Sequence, residues 1–294
     1  MSAVASAPGA VRQLLASSRP LSWINTAYPF AAAYLLAGGG VDAPLVVGTL
    51  FFLVPYNLLM YGVNDVFDHE SDLRNPRKGG VEGIVLDRRW HGVTLWSAGL
   101  LTLPFAIALL AWGGLVSALV LVLVLAAVVG YSAPGLRLKE RPVADSITSS
   151  THFMGPAAFG LALTGAPVGL TASACLVAFF LWGMASHAFG AVQDVQPDRA
   201  AGIGSIATVI GAAATVRLSI GLYAAAGLVM LLAGWPALLA GLLVIPYLLS
   251  TWPFRSLPDT RAEEANRGWR RFLWLNLVTG FLLTQLLIWI ALTS

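Results

Sequence analysis

Apolar residues run along this chain in nine long stretches, at roughly 21–38, 44–64, 93–112, 115–132, 145–164, 170–193, 206–232, 236–254 and 271–291. Several of them reach the roughly 20 residues that a helix needs to cross a bilayer core. The pattern predicts an all-α polytopic membrane protein with nine transmembrane helices. Glycine and proline inside the stretches fit this, because membrane helices use small residues for close packing and tolerate proline.

The polar segments between the stretches alternate in character. Those after odd-numbered stretches are short and nearly uncharged: Gly38–Ala43, Gly113–Gly114, Gly165–Gly169 and Gly234–Trp235. Those after even-numbered stretches carry Arg74, Arg77, Lys78, Arg88 and Arg89, then Arg137, Lys139 and Arg141, then Arg199, then Arg255, Arg261, Arg267, Arg270 and Arg271. With Arg12 and Arg19 before the first stretch and Arg217 near the start of the seventh, these are all 17 Lys and Arg of the chain. The positive-inside rule puts this face in the cytoplasm, with the N-terminus inside and the C-terminus outside a plasma membrane. Of the 14 Asp and Glu, only Asp42 falls on the opposite face. Charge of both signs on one face marks an ionic site there rather than a purely structural protein.

Composition agrees. Apolar residues make up 57% and charged residues 11% of the chain, against about a quarter charged in soluble proteins. The single cysteine, Cys175, excludes an internal disulfide and reads as a small apolar filler. Met1 to Ala10 carries neither the charged n-region nor the long apolar h-region expected of a signal peptide; Leu14, Leu15 and Ser18, flanked by Arg12 and Arg19, suggest a short helix on the membrane surface.

The most polar loop opens with Asn64-Asp65-Val66-Phe67-Asp68-His69-Glu70-Ser71-Asp72. Asp65, Asp68 and Asp72 stand at i, i+3 and i+7, one face of a continuing helix. Three carboxylates there repel one another unless a cation sits among them, and oxygen-only ligands suit Mg²⁺. A second cluster, Asp194-Val195-Gln196-Pro197-Asp198, follows the sixth stretch, with Pro197 marking a bend or a fresh helix start. Acidic clusters after stretches two and six, and basic loops after four and eight, fit two four-helix units of one orientation plus a ninth helix around a central cavity. The pair suggests two ions gripping one diphosphate.

Other residues carry two readings. In Tyr131-Ser132-Ala133-Pro134-Gly135-Leu136-Arg137-Leu138-Lys139, the cations either obey the positive-inside rule or bind phosphate oxygens through Arg137 and Lys139. Tyr131 is either an interfacial belt residue or an aromatic face for a developing carbocation. The basic, glycine-rich loop from Arg74 to Gly83 reads as a cover over a phosphate site, with Arg77 and Lys78 as contacts; Arg199 is similarly placed beside Asp198. Asn25, Asn57, His152, His187 and Gln193 are polar residues within the apolar stretches, where burial is costly. His152 reads as a helix–helix hydrogen bond rather than a catalytic group.

With both acidic motifs and nine stretches in view, nearly the whole chain resembles the UbiA superfamily of intramembrane prenyltransferases. The family's Asn-Asp-x-x-Asp-x-x-x-Asp motif is complete at Asn64, Asp65, Asp68 and Asp72, and its Asp-x-x-x-Asp motif at Asp194 and Asp198. Its Tyr, Arg and Lys after the fourth helix look like Tyr131, Arg137 and Lys139. Pro197 departs from the commoner glycine or acidic residue but leaves both carboxylates in place. Within the superfamily, NDVFDHESDLRNPRKGGVEG and AVQDVQPDRAAGIGSIATVIGA look most like the lycopene elongases of carotenoid-producing actinobacteria.

The resemblance implies a single intramembrane domain over 21–294 behind an interfacial segment at 1–20. It implies Mg²⁺-dependent transfer of a prenyl group, a C5 unit from dimethylallyl diphosphate, to a lipophilic acceptor in the membrane, lycopene. Asp65, Asp68, Asp72, Asp194 and Asp198 are then the metal ligands, and Asp65, Asp68, Tyr131 and Asp194 the catalytic set. Asn64, Arg77, Lys78, Arg137, Lys139 and Arg199 bind the diphosphate. Nucleic acid has no place in this chemistry. Two rivals stay open: a family member acting on an aromatic quinone precursor, and a cation-coupled transporter. Transporters place their ion sites near the midplane, whereas these carboxylates sit at the ends of the stretches.

Overall fold

The computed structural model describes residues 9–73 and 84–293, with Ser71 and Leu273 described by backbone alone. All regular structure in the described residues is helical. Seven helical segments among them are long and apolar enough to cross a membrane: Ala43–Phe67, Arg88–Trp112, Leu115–Ser132, Leu170–Val192, Ala212–Ala233, Ala237–Phe254 and Asp259–Thr293. The chain is an integral membrane protein.

Two of the nine expected spans fall outside this set, each for a physical reason. At 21–38 stands α2 (Ile24–Leu36), of 13 residues. At 1.5 Å per residue it reaches only about 20 Å, short of the ~30 Å hydrocarbon core. At 145–164 stands α8 (Ala144–Leu163), long enough at 20 residues, but its first half is a polar run from Asp145 to His152. The span expected from residue 206 begins later, because Gly211 at φ +81° separates α11 (Ile206–Ile210) from α12 (Ala212–Val229).

The chain folds into two compact units, 1–137 with 155–166 and 138–154 with 167–294. The units are therefore not consecutive halves of the sequence, since α8 changes unit along its length.

The first unit holds α1 (Ala10–Ser17), α2, α3 (Ala43–Leu53), α4 (Pro55–Phe67), α5 (His69–Asp72), α6 (His91–Trp112) and α7 (Leu115–Ser132). Its core is aromatic. Phe52 lies 5.1 Å from Phe30, 4.8 Å from Phe51 and 5.0 Å from Tyr56, ring centroid to centroid. Such offset and edge-on pairs add stabilisation beyond the area they bury. The α3–α4 span kinks at Val54–Pro55, where proline removes a helical N–H. Thr26 and Asn57 repair the break. Thr26 Oγ1 donates to the Phe52 carbonyl at 2.7 Å, and Asn57 Nδ2 donates to the same carbonyl at 2.8 Å and to Thr26 Oγ1 at 2.7 Å. A buried asparagine is tolerated because it pays back backbone groups that lipid would leave unpaired.

The second unit holds α9 (Leu170–Val192), α10 (Val195–Ala201), α11, α12, α13 (Ile245–Thr251) and α14 (Asn266–Thr293). The helices α9 and α12 pack along small residues, among them Ala174, Ala178, Ala185 and Ala226, as membrane helices do in the absence of a hydrophobic drive between them. Tyr223 and Tyr247 stack at 5.4 Å, with Trp182 edge-on to Tyr247 at 5.5 Å. Their hydroxyls are satisfied: Tyr223 shares a 2.9 Å hydrogen bond with Ser186, and Tyr247 donates to Asn276 Oδ1 at 2.8 Å.

Candidate active site

The first acidic motif sits where α4 ends. Asp68 is the residue at which regular helical geometry lapses, with φ −100° and ψ 2°. The ladder still runs through: Asp68 N–H donates to the Asn64 carbonyl at 2.9 Å and Asp72 N–H to the Asp68 carbonyl at 2.8 Å. The helix expected to continue through the motif is therefore two helices with one irregular residue between them. Asp65, Asp68 and Asp72 are all buried, Asp65 completely.

Burial of a carboxylate requires charge-assisted partners, and Asp65 draws them from the N-terminal segment. Ser17 Oγ donates to Asp65 Oδ2 at 2.8 Å, and Arg19 Nη2 donates to Asp65 Oδ1 at 3.1 Å. The guanidinium lies 4.2 Å from the Tyr61 ring centre, one turn back on α4. To reach both, Arg19 takes a left-handed backbone at φ 51°. A non-glycine residue there is uncommon and costs on the order of 1 kcal/mol, and such strain gathers at functional sites. A helix, α1, stands where a short one was expected near Leu14, and it packs against α4.

Asn64 is held from another side, with Ser132 Oγ at the end of α7 donating to its Oδ1 at 2.8 Å. Tyr131 is half-buried beside it. The following turn is tight: Gly135 has φ +85° and Arg137 φ +39°, and the Arg137 N–H donates to the Ala133 carbonyl at 3.0 Å. The turn points Arg137 back at the motif, with Nη2 3.8 Å from Asp68 Oδ1. Arg19 and Arg137 thus approach the acidic motif from two elements, and both have left-handed backbones. Beyond the motif, Glu70 pairs with Arg88, and the His69 ring bonds the Leu86 carbonyl at 2.9 Å. Arg77 and Lys78 lie outside the described residues, with the whole glycine-rich loop.

The second motif, in the other unit, follows α9. Asp194 is itself the break, with φ −98° and ψ 0°, and its N–H closes a tight turn onto the Ala191 carbonyl at 3.1 Å. Pro197 lies in the first turn of the new helix α10, where a missing N–H costs nothing. Asp194 and Asp198 are half-buried. Because α9 stops at Val192, Asp194 lies outside the helix that carries His187. His187 Nδ1 instead bonds Ser146 Oγ at 3.1 Å. Arg199 Nη1 donates to Asp259 Oδ2 at 2.6 Å, and its Nε donates to the Thr208 carbonyl at 2.8 Å. Lys139 is half-buried in a 3₁₀ turn, Leu138–Glu140.

Among the described residues, no three His, Cys, Asp or Glu side chains converge as a metal cluster. The donor chemistry nevertheless fits a hard divalent cation: the motif residues are carboxylates and one amide, all oxygen ligands, and three of the carboxylates are buried at one helix end.

The UbiA prenyltransferase family matches residues 26–290. The chain belongs to that family. This UbiA enzyme is 53% identical over 96% of its length to a C(50) beta-cyclic carotenoids biosynthesis protein of Dietzia sp. (strain CQ4), and spans 66% of that relative. It is 50% identical over 95% of its length to the lycopene elongase/hydratase of Corynebacterium glutamicum, spanning 97% of it. In fold it is similar to a UbiA homolog from Archaeoglobus fulgidus bound to DMAPP and Mg2+, with a TM-score of 0.66 at 19% identity, covering 91% of this chain and 98% of the other. An apo UbiA homolog from Aeropyrum pernix K1 gives a TM-score of 0.59 at 18% identity, covering 87% of this chain and 97% of the other.

Three residues around the first motif escape a reading of the UbiA sequence alone. Ser17 and Arg19 stand 48 and 46 residues before Asp65, and no local pattern couples them. Ser132 looks like an ordinary residue at a helix end. Asp145 opens the polar run of α8. It is fully buried and accepts from the N–H groups of Ser146 at 2.7 Å and Ile206 at 2.9 Å, which ties α8 to the start of α11.

Proposed function

We propose that this UbiA prenyltransferase adds C5 units from dimethylallyl diphosphate to lycopene, one at each end, toward a C50 carotenoid. What carries this reading is the 50% identity to a lycopene elongase/hydratase, sustained over 97% of that relative's length. The enzyme works in the plasma membrane, with nine spans in a single domain over 21–294, the motifs facing the cytoplasm and the C-terminus outside. The family match over 26–290 supports that domain extent, and the one-sided distribution of Lys and Arg supports the orientation.

In this reading Asp65, Asp68, Asp72, Asp194 and Asp198 hold Mg²⁺. Bound there, the metal supplies positive charge to a diphosphate leaving group. Arg137 and Lys139 add fixed positive charge for the diphosphate oxygens. Asn64, pinned by Ser132, presents its amide to the same group, and Arg77, Lys78 and Arg199 are further contacts. The allylic C–O bond breaks and the diphosphate departs with the bonding pair. Tyr131 offers an aromatic face to the cation left behind. A terminal carbon–carbon double bond of the acceptor then supplies the electrons of the new C–C bond, and the resulting cation loses a proton or adds water. Exclusion of bulk water by the apolar spans protects the allylic cation from premature hydrolysis.

The test is expression of the chain in a lycopene-producing bacterial host, with pigment masses as the readout. New C45 and C50 species support the proposal. Unchanged lycopene, with the protein present in the membrane and dimethylallyl diphosphate available, would overturn the choice of acceptor. In detergent, diphosphate release should stop with chelator and return with Mg²⁺; chelator-resistant release would overturn the metal role.

A further inference from the structure

Between the span Ala237–Phe254 and the segment Asp259–Thr293, the chain turns through Arg255-Ser256-Leu257-Pro258. The turn borders an open pocket of about 410 Å³ whose lining includes no residue of either acidic motif. Its apolar lining comes from Pro253, Phe254, Leu257 and Pro258. Its charged lining is Arg261, Glu264, Arg267 and Arg271.

The charges are organised. Glu264 is gripped by Arg261 through Nε and through Nη2, the latter at 3.0 Å, and by Arg267 Nη2 at 2.6 Å. Arg271 follows Arg267 by one turn of α14. Three guanidinium groups against one carboxylate leave the rim with an excess of two positive charges. The Glu264 carboxylate takes up donors of Arg261 and Arg267 that phosphate oxygens would otherwise accept from, so an anion at this site competes with it.

A neighbouring contact sets the depth of this pocket. Trp252 is 53% exposed, and Arg255 lies 4.7 Å from its ring centre while donating to its carbonyl at 3.0 Å. An exposed tryptophan carrying an arginine at the end of a span belongs at the level of the lipid headgroups. A cationic rim over an apolar floor at that level matches an anionic headgroup attached to an acyl chain. The positive-inside rule accounts for arginines on this face but not for their gathering, with a shared carboxylate, around one pocket.

We infer that this pocket is a binding site for an anionic phospholipid, its headgroup phosphate held by Arg261, Arg267 and Arg271 and its apolar part lying against Phe254 and Leu257. Basic pockets of this kind at the ends of membrane spans recognise acidic lipids.

The experiment is native mass spectrometry of the full chain in non-ionic detergent, titrated separately with phosphatidylglycerol, phosphatidylcholine and inorganic phosphate. Phosphatidylglycerol should be retained at concentrations where phosphatidylcholine is lost. The double variant R267Q/R271Q should weaken that retention by about 10- to 30-fold, while Arg89→Gln, which removes an exposed arginine paired with Asp87, should leave it unchanged. Glu264→Gln removes the competing carboxylate and should tighten retention several-fold, a gain that misfolding does not produce. Equal retention of both lipids, no loss in R267Q/R271Q, or no gain in Glu264→Gln would each overturn the assignment. So would saturation by inorganic phosphate at concentrations where phosphatidylglycerol fails to bind, since the site would then read free phosphate and not lipid.

Discussion

Arg19 and Asp65 form an ion pair of 3.1 Å across 46 residues of sequence, joining the segment before the first apolar stretch to the first carboxylate of the acidic motif. Asp65 is wholly enclosed, whereas the Arg19 side chain keeps 19% of its surface exposed. In the proposed function Asp65 would also be one of the residues that hold Mg²⁺. Removing Arg19 strands a buried charge, a change that costs roughly 3 kcal/mol, the low end for buried pairs because one partner is partly solvated. Arg19→Gln should therefore lower the melting midpoint in detergent clearly, and the double variant R19Q/D65N should recover much of the loss. Equal midpoints for wild type and Arg19→Gln would show that the pair contributes nothing to stability.

The motif carboxylates make a sharper prediction for turnover. Asp65→Ala and Asp194→Ala should each reduce prenyl transfer by at least about 100-fold, the equivalent of roughly 3 kcal/mol of lost charge stabilisation. Both variants should still insert into the membrane. Near-normal turnover in either, measured as diphosphate released per mole of inserted protein, would remove that motif from the chemistry.

Asn57 tests whether an intramembrane polar residue is structural. Its amide serves the Phe52 carbonyl and Thr26 at the Val54–Pro55 kink. Asn57→Leu leaves these groups short of a donor and should cost about 1–2 kcal/mol. The expected signature is a lower melting midpoint with an unchanged apparent affinity for the allylic diphosphate. A raised KM with normal stability would move Asn57 into the substrate site.

Gly160 tests the packing of the first unit. A Cβ at this position would lie 2.5 Å from the Phe30 carbonyl oxygen, a backbone atom that cannot swing aside. Gly160→Ala should push α2 and α8 apart and destabilise the protein by about 1–3 kcal/mol. Wild-type yield and melting behaviour in this variant would show that the two helices are not held at the spacing seen here.

The two acidic motifs were legible because each is local in sequence. Asp65, Asp68 and Asp72 announce themselves by spacing, as do Asp194 and Asp198, and the one-sided distribution of Lys and Arg is a property of composition by loop. Helix lengths were less legible. Hydropathy alone does not reveal that α2 has only 13 residues, nor that the polar run opening α8 lowers its standing as a span. Helix breaks were legible only where proline marks them, as at Pro197; the lapse at Asp68 has no such marker. Long-range partners were the least legible. Ser17, Arg19 and Ser132 gain their roles from tertiary packing, and each is an ordinary residue in its own neighbourhood.

The attachment of α1 to α4 has a practical side. Shortening the chain to begin at Pro20 strips both the Ser17 and the Arg19 contacts from Asp65. A bulky fusion set directly against Ala10 pulls on the same helix. Affinity handles for purification and fluorescent reporters for imaging therefore belong after Thr293, at the far end of α14. Libraries for directed evolution should hold Ser17 and Arg19 fixed, because both bond Asp65.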